Sequence, residues 1–193
     1  QKGKQADQKL YHESPQENGG GRKTGVKVYQ EEKAMQKRPE KELTVQEAQE
    51  RMFGLLGTHK IMALASSVKD HVMVRNVSCL FYDGKIWFKT DKKFRKTKQL
   101  YENPRVALCW NGVQVEGKAR IAGLVAEEPG KRFAALYDKY LKNSYNNYSH
   151  EDTEILVEVT PGFAELWDTD ENGDAYQIFI DFDRGTTSLK PYD

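Results

Sequence analysis

The spacing of hydrophobic positions predicts one amphipathic helix near the start of the folded region. Apolar residues recur at intervals of three and four between residues 44 and 57, which is the period of a helix. Thr44 and Glu47 stand at the spacing of a capping box, in which the Thr44 hydroxyl accepts a hydrogen bond from the backbone N–H of Glu47. Gly57 is a suitable C-terminal stop, so we predict a helix over residues 44–57.

Beyond residue 59 the pattern becomes that of short β-strands separated by turns. Asp83-Gly84 and Asn111-Gly112 are hairpin signals, because these residue pairs readily adopt the positive φ of tight turns. Further turns are predicted at Lys69-Asp70, at Pro161-Gly162 and within residues 170–173. The predicted strands cover residues 61–68, 71–82, 85–90, 105–110, 113–124, 154–160, 163–167 and 175–182.

Two more helices are predicted between the strands. Residues 94–102 end before Asn103-Pro104, a helix-stopping pair, and residues 127–141 carry an apolar stripe. The Asn- and Ser-rich residues 142–152 are predicted to form a loop. The strands form hairpins instead of alternating with helices, and no glycine-rich phosphate motif follows a strand, which disfavours Rossmann and P-loop folds. We therefore predict a mainly β (α+β) fold, an antiparallel barrel with helices packed outside it.

Composition divides the chain at about residue 42. The first 42 residues hold ten Lys/Arg, seven Asp/Glu and only eight apolar residues, too few apolar groups to offset the chain entropy of folding. We predict a polar arm over residues 1–42, disordered or loosely docked, and a folded domain over residues 43–193. The arm has no apolar segment of the kind that signal peptides contain.

Charge and cysteine usage exclude several classes of protein. The chain has 30 Lys+Arg and 29 Asp+Glu, a net charge of +1, which argues against a dedicated nucleic-acid-binding protein. No apolar run is long enough for a membrane span, so no membrane partner is expected. Cys79 and Cys109 lie in apolar runs without zinc or redox spacing, and we expect both to be buried, reduced thiols of a cytoplasmic protein. The histidines are scattered, and no metal site is predicted.

Positive charge is concentrated around one predicted strand–helix junction. Arg75 lies within a strand, Lys89-Thr90 ends the next strand, and residues 91–98 (DKKFRKTK) lead into a helix. A helix N-terminus offers free backbone N–H groups and a positive dipole end, so with Arg75, Arg95 and Lys96 it forms a candidate phosphate site. Each feature alone also has an ordinary explanation, such as a solvated helix face or a protective edge-strand charge.

The order and spacing of these motifs resemble a known family. The R-x-V strand segment is Arg75-Asn76-Val77-Ser78, the acidic-Gly hairpin is Asp83-Gly84, and the strand that ends in Thr is Lys89-Thr90. An Arg-Lys pair follows five residues after that Thr, at Arg95-Lys96, and the N-P-x-V segment is residues 103–106. The chain is similar here to the pyridoxamine 5′-phosphate oxidase-like flavoproteins with an FMN-binding split β-barrel.

A late segment narrows the resemblance to one subgroup. The stretch EVTPGFAELWD, which ends at Asp168, is similar to the subgroup related to bacterial general stress protein 26. The resemblance covers about residues 43–182. It implies an antiparallel split β-barrel, a homodimer with FMN at its interface, and hydride or electron transfer between the flavin and an unknown small molecule.

The resemblance also assigns cofactor-binding residues. Arg75, Arg95 and Lys96 would bind the phosphate, and Lys89 would stabilise the reduced flavin. No catalytic residue is predicted. The full set of cofactor-binding residues that it implies is Arg75, Asn76, Val77, Ser78, Lys89, Thr90, Arg95, Lys96, Gln114 and Trp167.

Two departures from the family pattern bear on function. Phe94 stands where the family often has Ser, so one phosphate hydrogen bond is absent. The C-terminal segment has Arg184 as its only arginine, whereas the vitamin B6 oxidases hold substrate phosphate with an Arg/His-rich end, so vitamin B6 oxidation is not expected. The alternatives are a non-catalytic flavin or haem carrier or stress sensor, and a barrel that binds single-stranded nucleic acid, which the near-neutral charge disfavours.

Overall fold

The computed structural model describes residues 37–148 and 152–192. Of the predicted arm, only residues 37–42 fall within this range, and they form no helix or strand. The elements are α1 (Val45–Leu56), β1 (His59–Val68), β2 (His71–Tyr82), β3 (Lys85–Asp91), α2 (Arg95–Glu102), β4 (Arg105–Trp110), β5 (Val113–Leu124), α3 (Gly130–Tyr140), α4 (Lys142–Tyr148), β6 (Glu154–Thr169), β7 (Ala175–Asp181) and β8 (Thr186–Pro191).

Six strands close into an antiparallel barrel. Their order is β3-β2-β1-β4-β5-β6, and β3 pairs back onto β6, with Phe88 opposite Val157. The strands β7 and β8 continue the sheet beyond the C-terminal half of β6. The prediction of a mainly β, antiparallel barrel with flanking helices is confirmed.

Helix α1 packs against β5, β7 and β8 and buries Ala48, Met52 and Leu56 completely. It begins as predicted, because the Thr44 hydroxyl accepts a hydrogen bond from Glu47 N–H while the Glu47 carboxylate accepts one from Thr44 N–H. The helix ends at Gly57, whose φ of 66° is one that glycine adopts without strain.

Helices α3 and α4 cover a different part of the barrel. Phe133 and Tyr137 of α3 are buried against Leu80, Trp87 and Leu156 in a second apolar cluster. This cluster is separate from the main core and lies on the opposite face of β3, because successive side chains of a strand point to opposite faces. None of the helices in the described ranges is long and apolar enough to cross a membrane.

The predicted turn at Pro161-Gly162 is wrong, because β6 runs without interruption from Glu154 to Thr169. Pro161 lies opposite Gly117, where the register of β5 shifts. A Cβ atom at Gly117 would lie 2.5 Å from the carbonyl oxygen of Thr160, so the glycine permits the close approach of the two strands. The strand β8 was not predicted, since the segment TTSLKP has no apolar alternation.

The start of α3 and the segment that follows this helix also differ from the prediction. Helix α3 begins at Gly130 instead of residue 127, because the residue before a proline is disfavoured in the helical conformation and Pro129 precedes α3. The predicted loop over residues 142–152 contains the short helix α4, whose Tyr145 packs beside the second apolar cluster. Residues 149–151 of that predicted loop lie outside the described residues.

Candidate functional site

Asp91 organises the junction between β3 and α2. Its Oδ1 accepts a hydrogen bond from Lys93 N–H at 2.6 Å, and its Oδ2 accepts one from the Thr153 hydroxyl. Its carbonyl oxygen accepts from Phe94 N–H at 3.1 Å and from the Thr97 hydroxyl at 2.7 Å. The hydrogen bond from Thr153, followed by that from Lys93, lowers the pKa of the Asp91 carboxyl. The start of α2 is therefore held in place by several bonds.

Phe94 is the N-cap residue of α2 and forms no side-chain capping hydrogen bond. Phe94 is 53% exposed, and the centroid of its ring lies 5.3 Å from Lys96 Nζ. The first N–H groups of a helix need acceptors from outside the helix. Without a capping side chain, this end of α2 is suited to receive an anion.

Three cations meet near this helix end. Burial, and then the charge of Arg95, lowers the pKa of Arg75. Burial, and then the charge of Arg75, lowers the pKa of Lys96. Within residues 37–148 and 152–192, no carboxylate forms an ion pair with any of the three. Like charges held together without a counter-charge favour the binding of an anion. We call Arg75, Arg95 and Lys96 the cation cluster.

Arg75 is held by neutral acceptors. Its guanidinium donates to Ser66 Oγ at 2.6 Å, to Gln99 Oε1 at 3.0 Å and to the Leu64 carbonyl oxygen at 3.4 Å. These bonds orient the side chain and leave its charge uncompensated.

The Thr90 hydroxyl has no hydrogen-bond partner among the described residues. The residue is only 5% exposed, and a buried polar group without a partner costs about 1–3 kcal/mol. Thr90 is the penultimate residue of β3, directly before Asp91. A bound group that offered it a hydrogen bond would remove this cost.

The other predicted residues of β2 are divided between the two faces of the strand. Val77 is buried in the main core, whereas Asn76 is exposed and Ser78 is half-buried. Strand pairing places Asn76 in one row with Ala63 of β1, Cys109 of β4 and Gln114 of β5, and the row continues to Glu165 of β6.

A hollow of about 250 Å³ opens on this face of the barrel, and we call it the outer hollow. Small side chains form much of its floor. Its lining residues are Ala63, Ala65, Val74, Ala107, Leu108, Cys109, Gln114, Val115, Glu116, Phe163 and Glu165. The expectation that both cysteines are buried is wrong for Cys109, which is exposed here because Leu108 occupies the inward position beside it. Cys79 is buried, and burial raises the pKa of its thiol.

Trp167 and Lys89 are not part of the cation cluster. The Trp167 indole N–H donates to Glu165, which lines the outer hollow, and its ring centroid lies 4.8 Å from that of Tyr192. The Lys89 side chain forms a buried ion pair with Glu154, and its ammonium lies 5.4 Å from the ring centroid of Tyr137. Lys89 therefore points to the side of β3 that α3 covers.

Two polar residues at this site, Ser66 and Gln99, are not among the residues predicted from the sequence. Both are buried, and both bind Arg75. A signal for Gln99 was present, because it follows Arg95 by four residues and Lys96 by three and so lies on the same side of α2. For Ser66 there was no local signal, since its contact with Gln99 spans 33 positions.

A closed antiparallel barrel flanked by helices defines a split-barrel protein, and the cation cluster beside the start of α2 is its candidate anion site. A sequence model of the family described as "Pyridoxamine 5'-phosphate oxidase" matches residues 26–168. The chain belongs to this family. The match begins within the segment that was predicted as an arm.

The chain is similar to several solved structures. A protein related to general stress protein 26 of B. subtilis, from Clostridium acetobutylicum, has a TM-score of 0.50 and 13% identity over 74% of this chain and 96% of that chain. General stress protein 26 from Bacillus anthracis has a TM-score of 0.47 and 19% identity over 61% and 91%. An FMN binding protein related to pyridoxamine 5'-phosphate oxidase, from Nostoc punctiforme, has a TM-score of 0.48 and 13% identity over 77% and 94%. The family match confirms the resemblance to the pyridoxamine 5′-phosphate oxidase-like proteins. No curated protein matches the chain.

Proposed function

We propose that this chain is an FMN-binding flavoprotein that transfers hydride or electrons between the flavin and a small molecule. The observation that carries the proposal is the cation cluster, in which Arg75, Arg95 and Lys96 lie together without a carboxylate partner in the described part of the chain. Family membership supports the choice of flavin over other phosphorylated compounds.

The phosphate of FMN fits the cation cluster. Hydrogen bonds to charged groups contribute about 1.5–3 kcal/mol each, so two or three of them can hold a dianion. The start of α2 adds backbone N–H groups without a capping side chain. The Thr90 hydroxyl, which has no hydrogen-bond partner among the described residues, would gain one from the bound cofactor. These residues bind and orient the cofactor.

In the proposal, the outer hollow and the row of residues across it receive the flavin ring. Asn76 and Gln114 belong to the same row and carry amides that can bond to the polar edge of a flavin, while Trp167 shields one side. Lys89 contributes its backbone, because its ammonium is engaged with Glu154. When bound, the flavin supplies the redox chemistry.

The proposal includes a homodimer. Ile61, Val72 and Val74 are 60%, 64% and 65% exposed on β1 and β2, and Val74 also lines the outer hollow. That hollow, at about 250 Å³, is smaller than the roughly 300–1,000 Å³ of typical ligand pockets. A second copy placed over this face would bury the apolar side chains and complete the pocket.

An absorbance spectrum tests cofactor binding. We expect the purified chain, mixed with excess FMN and then desalted, to keep the two visible bands of a flavin. The double variant Arg95→Ala and Lys96→Ala should lose most of the bound FMN. Lys98→Ala is the matched control, because this exposed lysine of α2 is outside the cation cluster. A colourless protein after desalting would contradict the proposal.

Two further measurements separate the parts of the proposal. Turnover of bound flavin with NAD(P)H and a set of electron acceptors distinguishes an oxidoreductase from a carrier or sensor, which would keep its flavin without turnover. Light scattering gives the mass in solution. Val74→Glu should convert a dimer to a monomer and reduce FMN retention, and a wild-type chain that is monomeric with bound FMN would contradict the dimer.

A further inference from the structure

We infer that Gln99 is a positioning residue, which orients Arg75 toward the phosphate and aligns it with Arg95 and Lys96. The inference rests on the proposed function and goes beyond it, because it assigns phosphate selectivity to an uncharged side chain that does not itself touch the phosphate. Ser66 assists in the same role.

The three side chains form a closed ring of hydrogen bonds. The Arg75 guanidinium donates to Ser66 Oγ at 2.6 Å and to Gln99 Oε1 at 3.0 Å. The Ser66 hydroxyl donates to the same Gln99 oxygen at 2.7 Å. That oxygen therefore accepts two hydrogen bonds at once, which determines how the amide of Gln99 is turned. Each member of the ring restricts the other two.

Burial makes this ring strong. Ser66 is 3% exposed and Gln99 is 8% exposed, and hydrogen bonds gain strength where water is excluded. The guanidinium of Arg75 cannot rotate without losing its hydrogen bond to Ser66 Oγ or its hydrogen bond to Gln99 Oε1. The ring thus limits the guanidinium to one orientation before any anion binds.

The place of Gln99 on α2 links two elements of the site. It follows Arg95 by four residues and Lys96 by three, so the three residues share one side of the helix. Its hydrogen bond with Arg75 connects α2 to β2, and its hydrogen bond with Ser66 connects α2 to β1. The relative position of Arg75 and the two cations of α2 is therefore set through Gln99.

The neutrality of the ring matters for an anion site. An ion pair would orient Arg75 equally well but would cancel part of the charge that attracts phosphate. Amide and hydroxyl oxygens orient the guanidinium through hydrogen bonds, and the full positive charge remains. The arrangement combines a fixed geometry with an uncompensated charge, which is what selective recognition of a phosphate dianion needs.

The test compares two flavins that differ only in the phosphate. FMN and riboflavin are titrated into the full chain, and binding is followed by flavin fluorescence. Gln99→Leu keeps the size of the side chain and removes the acceptor. We expect its FMN affinity to fall by about tenfold, while its riboflavin affinity stays within about twofold of the wild type. Gln46→Leu, at an exposed position of α1, is the matched control and should change neither value.

Two other variants keep the inference open to contradiction. Ser66→Ala removes the other member of the ring and should lower FMN affinity by about threefold, which serves if Gln99→Leu does not fold. Gln99→Glu keeps an acceptor for Arg75 but places a negative charge beside it, so its FMN affinity should fall by about tenfold or more, while its riboflavin affinity stays within about twofold of the wild type. If Gln99→Glu binds FMN as tightly as the wild type, the neutrality of the ring has no role and the inference is wrong.

The outcomes separate this inference from the proposed function. If the wild-type chain prefers FMN to riboflavin and Gln99→Leu keeps the same preference, the inference is wrong and the proposed function stands. If Gln99→Leu weakens both flavins equally, Gln99 has a general structural role and the inference is again wrong. If the wild-type chain binds neither flavin, both the proposed function and the inference fail.

Discussion

Arg51 on α1 and Arg75 on β2 are both arginines with limited exposure, but their partners differ in charge. Arg51 forms an ion pair of 3.2 Å with Asp168 and also donates to the Tyr176 hydroxyl, which in turn donates to Asp168. Among the residues that the structure describes, Arg75 meets only neutral acceptors and the like charges of α2. A buried charge with its counter-charge serves the fold, whereas a charge oriented by neutral groups stays available to a ligand.

The helices next to these two arginines, α1 and α2, differ in how their N-termini are capped. Helix α1 begins with a complete capping box at Thr44 and Glu47. Helix α2 begins at Phe94 without a capping side chain. Free N–H groups are a cost to the isolated helix and an advantage to an anion site. The start of α1 is therefore capped by side chains of the protein, while the start of α2 has no side-chain cap and is the candidate for anion binding.

The largest effect is expected from breaking the ion pair at α1. Asp168→Ala leaves Arg51 with limited exposure and without its carboxylate. We expect a loss of about 2 kcal/mol in the free energy of unfolding, less than the roughly 3–5 kcal/mol of a fully buried pair. Arg75→Ala should change that free energy by less than about 1 kcal/mol and should abolish FMN retention. Urea unfolding measures the free energy of unfolding, and desalting after mixing with FMN measures FMN retention. Equal losses of stability in the two variants would contradict the contrast between Arg51 and Arg75.

The second prediction removes the side-chain cap of α1 and adds one to α2. Thr44→Ala should destabilise the fold by about 1 kcal/mol, because a capping hydroxyl is lost. Phe94→Ser should stabilise it by about 1 kcal/mol, since its backbone has the extended conformation of an N-cap. The measurement is urea unfolding of the apo chain. A higher FMN affinity of Phe94→Ser would further support the contrast between the two helix starts. A less stable Phe94→Ser would contradict that contrast.

The third prediction has no effect at neutral pH and concerns only the alkaline range. Burial raises the pKa of Tyr176 to about 12, with the charge of Asp168 adding to the rise and that of Arg51 opposing it. In the unfolded chain this phenol ionises near pH 10. Its contribution to stability is thus complete below pH 10 and is lost between pH 10 and about 12.

Tyr176→Phe isolates this contribution from the general effects of high pH. The variant has no phenol to ionise, so its urea midpoint should fall less steeply between pH 10 and 12 than that of the wild type. Tyr82, whose pKa is also raised to about 12 by burial, remains in both proteins and cancels in the comparison. Equal slopes in the two proteins would show that Tyr176 does not titrate with unfolding.

Local features of the fold could be predicted from the sequence. The turn at Asp83-Gly84 has φ values of 54° and 67°, and Asn111 has a φ of 49°, which are conformations that these residues adopt readily. Strands β2, β4 and β5 have the predicted bounds. Each of these features depends on residues within a few positions of one another.

Features that depend on distant partners could not be predicted. Strand β6 continues through Pro161 because Gly117 of β5 allows the close approach. Lys89 turns away from Thr90 and pairs with Glu154, which lies 65 positions later. Cys109 is exposed because of the face of β4 on which it lies. An apolar neighbourhood in sequence does not reveal which face of a strand meets the core.

The sequence by itself determined the kind of structure and predicted a kind of ligand. Periodicity and turn residues predicted an antiparallel barrel, and the order of its cationic motifs predicted a phosphate site. Only the tertiary structure decided which cations meet, that Arg75 is oriented by Ser66 and Gln99, and that the Thr90 hydroxyl has no partner within the described part of the chain. The physical reason is that charge and propensity are properties of single residues, whereas orientation and burial arise only when the closing barrel brings distant strands together.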